Sequence, residues 1–538
     1  MKKRQAGANA RSRVLSIAIT TLAAVLLGSC GGGGSGGDPG AEAARQVAIA
    51  TVCIPPDTAS SSSSVSGTSV RWAIDSGASR SYSEIPLAGD DTINPGRGYH
   101  RWIDRELVPQ AAPAPVVYNR FIWRDLEPSQ DNYDFSALIN EARTAKAAGK
   151  KYAFALRMMI GPAETTVYLP AYAYKNPLCA HECGFVSIFT AGSAAPVSAF
   201  VPDWNDPWLQ GRARKLLEAL RDRLALEKIE LAWLDVALWG QWGEWYTSPN
   251  YYFSPPIGTK PAGIEPITSA SKEAFARMYF ETFPNEQLLM HALREHSSTL
   301  TWAFTQTITK KPVGLRTNCL GKNVYPGSPL GEWNAFPADF AAIQDRWKLA
   351  PFVAELCAPD SGNLIVDTKL VRKQIASFHI STIGNGGFGN SIPDMNARWG
   401  LLDDAQKSDM LMAGRETGYR YLIGKSSTNF ASDGSLLIQA TLQNAGNTPS
   451  YEDWSVRLEM LDGDGAVVAS TPTAISLKDS PGACSKQNID LTWNPVVPAG
   501  SYTIRLVGSH AYWPNLKWTN LERNTDGSLT LAKVVRKP

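Results

Sequence analysis

From Val116 to Gly418 the chain alternates short apolar runs with longer amphipathic ones, and this alternation constrains its fold more than any other feature. Short apolar runs read as strands buried on both faces, and the amphipathic stretches between them read as helices that cover those faces. Strands are expected over Val116 to Trp123, Tyr152 to Met158, Ile229 to Trp239, Gln287 to Leu293, Val313 to Asn318, Phe352 to Leu356 and Phe378 to Ile383. Helices are expected over Phe135 to Ala148, Trp208 to Leu226, Ser271 to Phe283, Ala338 to Trp347, Val366 to Ser377 and Asp403 to Thr417. An eighth strand inside the irregular stretch Gly161 to Phe200 would close a TIM-like (β/α)8 barrel of the α/β class. An open doubly wound sheet is the alternative, disfavoured because no glycine-rich phosphate turn follows the first strand. No cofactor is expected.

After Tyr419 the pattern changes to alternating strand-like segments with turns between them: Ser435 to Asn444, Ser455 to Leu461, Ala466 to Ser470, Asn488 to Trp493 and Ser501 to Val507. These outline a C-terminal all-β sandwich over 419–538, after a barrel over 91–418. Asp462-Gly463-Asp464-Gly465 reads as a hairpin turn and not a calcium loop, because Thr473 stands where a bidentate Glu would be needed. A chain of 538 residues, 44% hydrophobic and 19% charged, has room for two such units. With 52 basic against 50 acidic side chains and no long basic run, nucleic acid is not an expected partner.

Lys2, Lys3, Arg4, Arg11 and Arg13 precede an apolar stretch, Val14 to Leu27, that is too short to span a bilayer and has the layout of a secretory signal. Leu27-Gly28-Ser29-Cys30 resembles a bacterial lipobox, which makes 1–30 a lipoprotein signal peptide with Cys30 as the lipidated residue. An ordinary signal peptide with a chance cysteine is the alternative. Gly31 to Gly37 and Ser60 to Ser64 mark 31–90 as a flexible tether and lead-in. The expectation is an exported protein anchored by lipid to a bacterial membrane, the outer membrane or the cell surface. Setting Cys30 aside leaves six cysteines of the seven, an even number suited to disulfides in an oxidising compartment. Cys179 and Cys183 bracket a short loop, Cys319 and Cys357 end two apolar strands, and Cys53 and Cys484 remain. Cys179-Ala180-His181-Glu182-Cys183 also offers three metal ligands, but no fourth is evident and no metal is expected.

In a closed parallel barrel, side chains at the C-terminal ends of the strands converge on one open face. Two carboxylates there sit in apolar surroundings: Glu244, in Gly240-Gln241-Trp242-Gly243-Glu244-Trp245 after the third expected strand, and Glu355, in Phe352-Val353-Ala354-Glu355-Leu356-Cys357. Glycosidic bond cleavage needs such a pair, one acid to protonate the leaving oxygen and one carboxylate to attack the sugar or activate water. Taken singly, Glu355 also reads as a buried partner of an arginine and Glu244 as a surface loop residue. Arg157, His291, Arg294, Asn318, His379 and Asn385 lie at or beside other strand ends and could orient a carboxylate or bond sugar hydroxyls. His291 and His379 also read as ordinary core histidines. Trp239, Trp242, Trp245 and Tyr246, with Tyr251, Tyr252 and Phe253, crowd around Glu244 and suit stacking on the C–H face of a sugar.

Asn94-Pro95-Gly96-Arg97-Gly98-Tyr99, Trp123-Arg124-Asp125-Leu126-Glu127-Pro128 followed by Tyr133-Asp134-Phe135, and the Glu244 loop together resemble bacterial secreted proteins that carry the domain of unknown function 4832 (DUF4832). The barrel of that group is similar to clan A, the large clan of retaining glycoside hydrolases. The resemblance runs from about Ile93 to the C-terminus and includes the sandwich. It implies a carbohydrate ligand, Glu244 as acid/base and Glu355 as nucleophile, with the Trp-x-x-x-Glu-Pro segment shaping the barrel mouth. Gly243 departs from the clan, which places Asn before the acid/base Glu. Either Asn318 or Gln241 supplies the missing amide, or this branch binds glycans, or serves the envelope structurally, without cutting.

Overall fold

The protein is described from a computed structural model, which covers residues 72–86, 94–102, 114–159, 166–189, 197–247, 263–322, 330–331, 333, 337–341, 343–356, 367–384, 392–480, 482 and 485–538. The signal segment, Cys30, Cys53, Tyr251, Tyr252, Phe253, Cys357, Asn385 and Cys484 lie outside the described residues.

Eight parallel strands close a barrel: β1 (Tyr99–Trp102), β2 (Val116–Ile122), β3 (Lys151–Arg157), β4 (Leu231–Asp235), β5 (Leu288–His291), β6 (Gly314–Leu320), β7 (Phe352–Leu356) and β8 (Thr382–Gly384). They neighbour one another in chain order, and β8 meets β1 through Ile383↔Tyr99 and Gly384↔His100. The expected (β/α)8 barrel nevertheless needs correcting: strands dominate, helix amounts to only 27%, and the one-helix-per-strand alternation is not kept. Between β1 and β2 no helix occurs among the described residues, and between β6 and β7 the α-helix Pro337–Phe340 is a single turn. Leu330, Trp333 and Ile343 of the same stretch join the apolar layer there. Nor does the stretch Gly161 to Phe200 supply the eighth strand. It folds into an antiparallel hairpin, Gly184–Phe189 with Val197–Pro202, outside the barrel sheet. The missing strand is β1, four residues reading Tyr-His-Arg-Trp, whose polar content hides it from a search for apolar runs.

Elsewhere long amphipathic helices do cover strands. Pro207–Leu226 buries Leu209, Ala213, Leu216, Leu217, Leu220 and Leu224, and its start is capped by Asp206, whose carboxylate accepts from the backbone N–H groups of Trp208 and Leu209. Thr368–Phe378 buries Val371, Ile375 and Phe378 behind an Asp367 cap. The helix runs through Phe378 and His379 ends it at φ 52°, so the last strand begins at Thr382 and not, as the apolar run suggested, at Phe378.

Two antiparallel sheets enclose a second core that holds Ile423, Ile438 and Leu442 of one sheet and Leu458, Ile504 and Val534 of the other. They are not built from the C-terminal part alone. Trp72–Ser76 pairs with Leu529–Arg536, and Ser79–Ser81 pairs with Tyr421–Phe430, so part of the lead-in is structural. Asp462 to Gly465 is a hairpin turn, with the Asp462 carboxylate accepting from the N–H groups of Asp464 and Ala466. No helix among the described residues is long and apolar enough to cross a membrane.

The second unit seats against the N-terminal ends of the barrel strands. Asn94 exchanges two hydrogen bonds with Lys517, the Tyr419 hydroxyl donates to the Pro95 carbonyl at 2.7 Å, and the Tyr512 hydroxyl donates to the Lys150 carbonyl at 3.3 Å. Lys151, at the start of β3, pairs with Glu452 at 2.9 Å while its Nζ lies 5.4 Å from the Trp513 ring centre. Burial resists the charge on Glu452, but His510 and Lys151 outweigh it and hold its carboxyl down to about 2. A depressed carboxyl stabilises the fold above its unfolded value and loses that contribution as pH falls through its folded value. Between pH 4.5 and 2, Glu452→Gln is therefore expected to remove roughly 3 kcal/mol of the acid sensitivity of unfolding. Urea titrations across that window check this, and an unchanged slope would contradict it.

Candidate functional site

With one end of the barrel closed, chemistry is left to the other end, where alternate residues of each strand point inward. On β2 these include Tyr118 and Arg120, on β4 Trp233 and Asp235, on β6 Arg316, and on β7 Val353 and Glu355. In the lower part they are apolar: Val116, Ala153, Trp233, Leu289 and Val353 form an interior cluster with Trp102 and Tyr118. Above it the interior becomes charged.

Glu355 is the hub. Its side chain is 6% exposed; Oε1 accepts from the Trp102 indole at 2.9 Å and pairs with Arg316, while Oε2 accepts from Arg120 Nη2 at 3.1 Å. His100 Nε2 stands 3.8 Å from Oε1, beyond hydrogen-bond reach. Gly384, directly across from Glu355 in the sheet, leaves room for this arrangement, since a Cβ there would lie 2.2 Å from His100 Nε2 and 2.8 Å from Glu355 Cγ. Burial pushes the Glu355 carboxyl up, but the guanidiniums of Arg316 and Arg120 outweigh it and hold the group ionised, well below the usual carboxylate range.

The second nitrogen of the Arg120 fork, Nη1, pairs with Glu244 Oε1, and Glu244 Oε2 accepts from Asn318 Nδ2 at 2.5 Å. The two glutamates are thus joined through one guanidinium. Two hydrogen bonds and the fork's own width keep their carboxyl oxygens within about 8 Å of each other, a bound that includes both the about 5–5.5 Å of retaining and the about 6.5–9.5 Å of inverting carboxylate pairs. On the far side, Arg316 Nη1 lies 3.2 Å from Asp235 Oδ2, which also accepts from the Tyr118 hydroxyl at 2.6 Å. Tyr118 in turn accepts from Arg120 Nε at 3.0 Å. Burial holds the Asp235 carboxyl above its ordinary value despite Arg316. The chain Glu244, Arg120, Glu355, Arg316, Asp235 therefore alternates in sign through the top of the barrel.

Glu244 does not stand on a strand. β4 ends at Asp235, and Glu244 follows the 3-10 turn Gln241–Gly243 in a loop where Leu238, Trp242 and Trp245 all take positive φ (72°, 54° and 62°). Bulky side chains in the left-handed region are costly, and such clusters favour functional loops. Gly243 is required here: at φ 74° a Cβ would meet the Leu156 carbonyl at 2.9 Å. An asparagine at this position would be strained and would have to shift the backbone, and Asn318 carries the amide that reaches Glu244.

The other expected site residues divide. Arg157 ends β3 at the same mouth, and Trp242 and Tyr246 present 37% and 36% of their surface beside Glu244. His291 is 3% exposed inside the barrel, where burial and the nearby Arg316 and Arg120 keep it neutral. Trp239 and Trp245 are corrected to core residues, 1% and 0% exposed, edge-packed with His296, and the Trp245 indole donates to the Val236 carbonyl. Arg294 lies outside this charge chain, and its Nε donates to Asp339. His379 lies at the opposite end, stacked on Trp347 at 3.6 Å with Nδ1 2.8 Å from the Asn447 carbonyl, because the helix preceding β8 runs longer than expected. Cys179 and Cys183 form a disulfide, which removes their thiolates from the nearby cluster with Asp206, and Cys319 is disulfide-bonded as well. Glu127 of the Trp-x-x-x-Glu-Pro segment is fully buried, accepting from the Trp123 indole at 2.7 Å and pairing with Arg212, so it braces the loop after β2.

His100, Trp102, Tyr118, Arg120, Asp235 and Arg316 were not anticipated. The last four are legible in hindsight as polar residues at every second position in otherwise apolar strands.

No family model and no curated protein matches the chain. Among solved structures it shows slight similarity to the Pseudomonas fluorescens alkylpurine DNA glycosylase AlkC bound to DNA (12% identity, TM-score 0.13, covering 50% of this chain and 70% of that one). The Bifidobacterium adolescentis GH3 beta-glucosidase gives 11% identity and a TM-score of 0.14 over 51% of this chain and 54% of that one. Beta-glucosidase 3B from Thermotoga neapolitana in complex with glucose gives 11% and 0.12 over 51% and 40%. At such scores the likenesses carry no argument about fold or function.

Proposed function

We propose that the protein is a retaining glycoside hydrolase acting on an extracellular or periplasmic glycan, with Glu355 as nucleophile and Glu244 as general acid/base. The observation that carries this reading is the meeting of Glu244 and Glu355, distant in sequence, on the single guanidinium of Arg120 at the open end of the barrel. Glu355, held ionised by two arginines, is suited to attack an anomeric carbon. Glu244, its side chain 15% exposed, is the more accessible of the two carboxyls and so is suited to meet a leaving oxygen. The C–O bond breaks as the Glu355 carboxylate bonds to the anomeric carbon and Glu244, which takes up a proton when substrate displaces Arg120 from it, gives that proton to the departing oxygen. Water, deprotonated by Glu244, then releases the sugar from Glu355. Exposed Trp242 and Tyr246 supply stacking faces.

A panel of 2-deoxy-2-fluoro glycosides with activated leaving groups tests this. Their slow second step should leave a sugar covalently attached to Glu355, visible as a mass increase on the peptide that contains it. Labelling elsewhere, or none with any glycoside that the protein hydrolyses, would exclude the nucleophile assignment. A glycan-binding protein without turnover is the second reading, favoured by the resting position of Arg120 between the two carboxylates, where a scissile bond would have to sit.

Export with a lipid on Cys30 belongs to the same proposal. The basic start, the Val14 to Leu27 stretch and the Leu-Gly-Ser-Cys segment support it, and the Cys179–Cys183 disulfide is consistent with an oxidising compartment. Palmitate labelling in a bacterial host should be present in the wild type and lost in Cys30→Ser. Label retained by that variant would refute it.

A further inference from the structure

We propose that Asp235, at the end of β4, is a positioning residue for the glycosyl-enzyme: acting through Arg316, it supplies the negative charge that Glu355 gives up when it bonds to the sugar. The inference deepens the hydrolase reading of the site and rests on it.

Arg316 is fully buried, and its two terminal nitrogens serve different anions: Nη2 pairs with Glu355, and Nη1 lies 3.2 Å from Asp235 Oδ2. Asp235 is itself 2% exposed, and the Tyr118 hydroxyl donates to the same oxygen at 2.6 Å. The Tyr118 ring centre lies 4.6 Å from the Arg316 guanidinium carbon, so one residue touches both members of the Asp235–Arg316 pair. In the first half of the reaction an electron pair of the Glu355 carboxylate forms the bond to the anomeric carbon. The bond to the leaving group breaks with its electron pair going to the departing oxygen, and that oxygen takes the Glu244 proton. Negative charge is thereby lost at Glu355 and gained at Glu244. Among the described residues the ion pairs of Arg316 are with Glu355 and Asp235, whereas Glu244 pairs with Arg120. Once the ester forms, Asp235 is the anion left against a guanidinium with no access to water, where an unpaired charge is costly. Burial and the Glu355 charge oppose the Asp235 anion while Arg316 and Tyr118 favour it, so forming the ester removes part of the opposition. Without the Asp235 charge, Arg316 would favour the free Glu355 carboxylate over its ester, which slows attack on the sugar and hastens its release.

The test follows the two halves of the reaction separately, with the dinitrophenyl 2-deoxy-2-fluoro analogue of a glycoside that the wild type cleaves. The rate at which the sugar attaches to Glu355 reports the first half, and the return of activity after excess reagent is removed reports the second. In Asp235→Asn, which keeps the side-chain shape and an acceptor for Tyr118, attachment should slow about 10- to 100-fold and reactivation should quicken about 3- to 10-fold. Opposite shifts are the signature of the charge, because a site merely loosened by the substitution slows both steps. Tyr118→Phe removes a hydrogen bond but leaves the Asp235 charge in place, so its two rates should not move in opposite directions. The trapped wild type gives a reading that needs no variant to fold: its infrared difference spectrum against the free protein should gain an ester carbonyl and no carboxylic-acid band. A new carboxylic-acid band would overturn the inference, as would both rates slowed or both unchanged in Asp235→Asn, or the same opposite shifts in Tyr118→Phe. Each of these leaves the hydrolase standing, since Glu355 still carries the label. A wild type that cleaves no glycoside, or takes no label on Glu355, refutes the hydrolase reading and this inference with it.

Discussion

Glu355→Gln is expected to lower turnover by roughly 1,000-fold or more on any glycoside that the wild type cleaves, because an amide cannot form the covalent sugar ester. The companion variant Glu244→Gln should behave differently. For a poor leaving group such as an alkyl oxygen its loss should reach about 100- to 10,000-fold, since proton donation is then needed. For a dinitrophenolate leaving group, which departs without a proton, the bond-breaking step should stay near the wild-type rate. Parallel kinetics on the two leaving groups distinguish the two carboxylates by role, which no structural contribution to stability would do. Equal losses on both substrates for both variants would remove the assignment of roles, and wild-type rates for both would remove the hydrolase.

Arg316→Met should cost about 3–5 kcal/mol of folding stability at neutral pH, read as a fall in the urea midpoint without a change in slope. Arg316 is fully buried and serves two carboxylates, Asp235 and Glu355. Without it, Glu355 keeps only Arg120 as a cationic partner, and its carboxyl rises toward the ordinary range. The sign follows from linkage. In the wild type the depressed Glu355 group stabilises the fold at all pH values above its unfolded value, and the contribution is lost as pH falls through the folded value. In the variant that loss should begin at higher pH. Adding Glu355→Gln to Arg316→Met should recover part of the stability, because the amide no longer needs a counter-charge. A cost below about 1 kcal/mol for Arg316→Met would show that the charge chain is hydrated and does not bear on folding.

Much of the barrel was legible because buried parallel strands are written as apolar runs. Val116 to Ile122, Lys151 to Arg157 and Phe352 to Leu356 were each found within a residue or two. β1 was not, since all four of its residues carry polar side-chain atoms, among them the Trp102 indole that donates to Glu355 and the Tyr99 hydroxyl that donates to the Met410 carbonyl. The regular helix alternation was also over-read. Periodicity marks a segment that can be helical, but among the described residues before β7 the helix Pro337–Phe340 is a single turn and the 3-10 turn Arg346–Lys348 follows it. Among the residues gathered at the barrel mouth, Glu244, Glu355, Asn318 and Arg157 had been singled out from their places at or after run ends. Arg120, Arg316 and Asp235 were passed over because each lies within or at the end of a strand that reads as an apolar run. His379 was misplaced because a helix end and a strand start share the same apolar residues.

The sequence by itself determined which segments must be buried, where Glu244 and Glu355 fall along the chain, and that a glycine stands before Glu244. Only the tertiary structure decided that β1 completes the ring, that the N-terminal strands belong with the far end of the chain, and that one guanidinium holds both glutamates. The reason is that burial propensity is a property of each segment, whereas the partner of a charge depends on which strands become neighbours. That is settled only when the sheet closes.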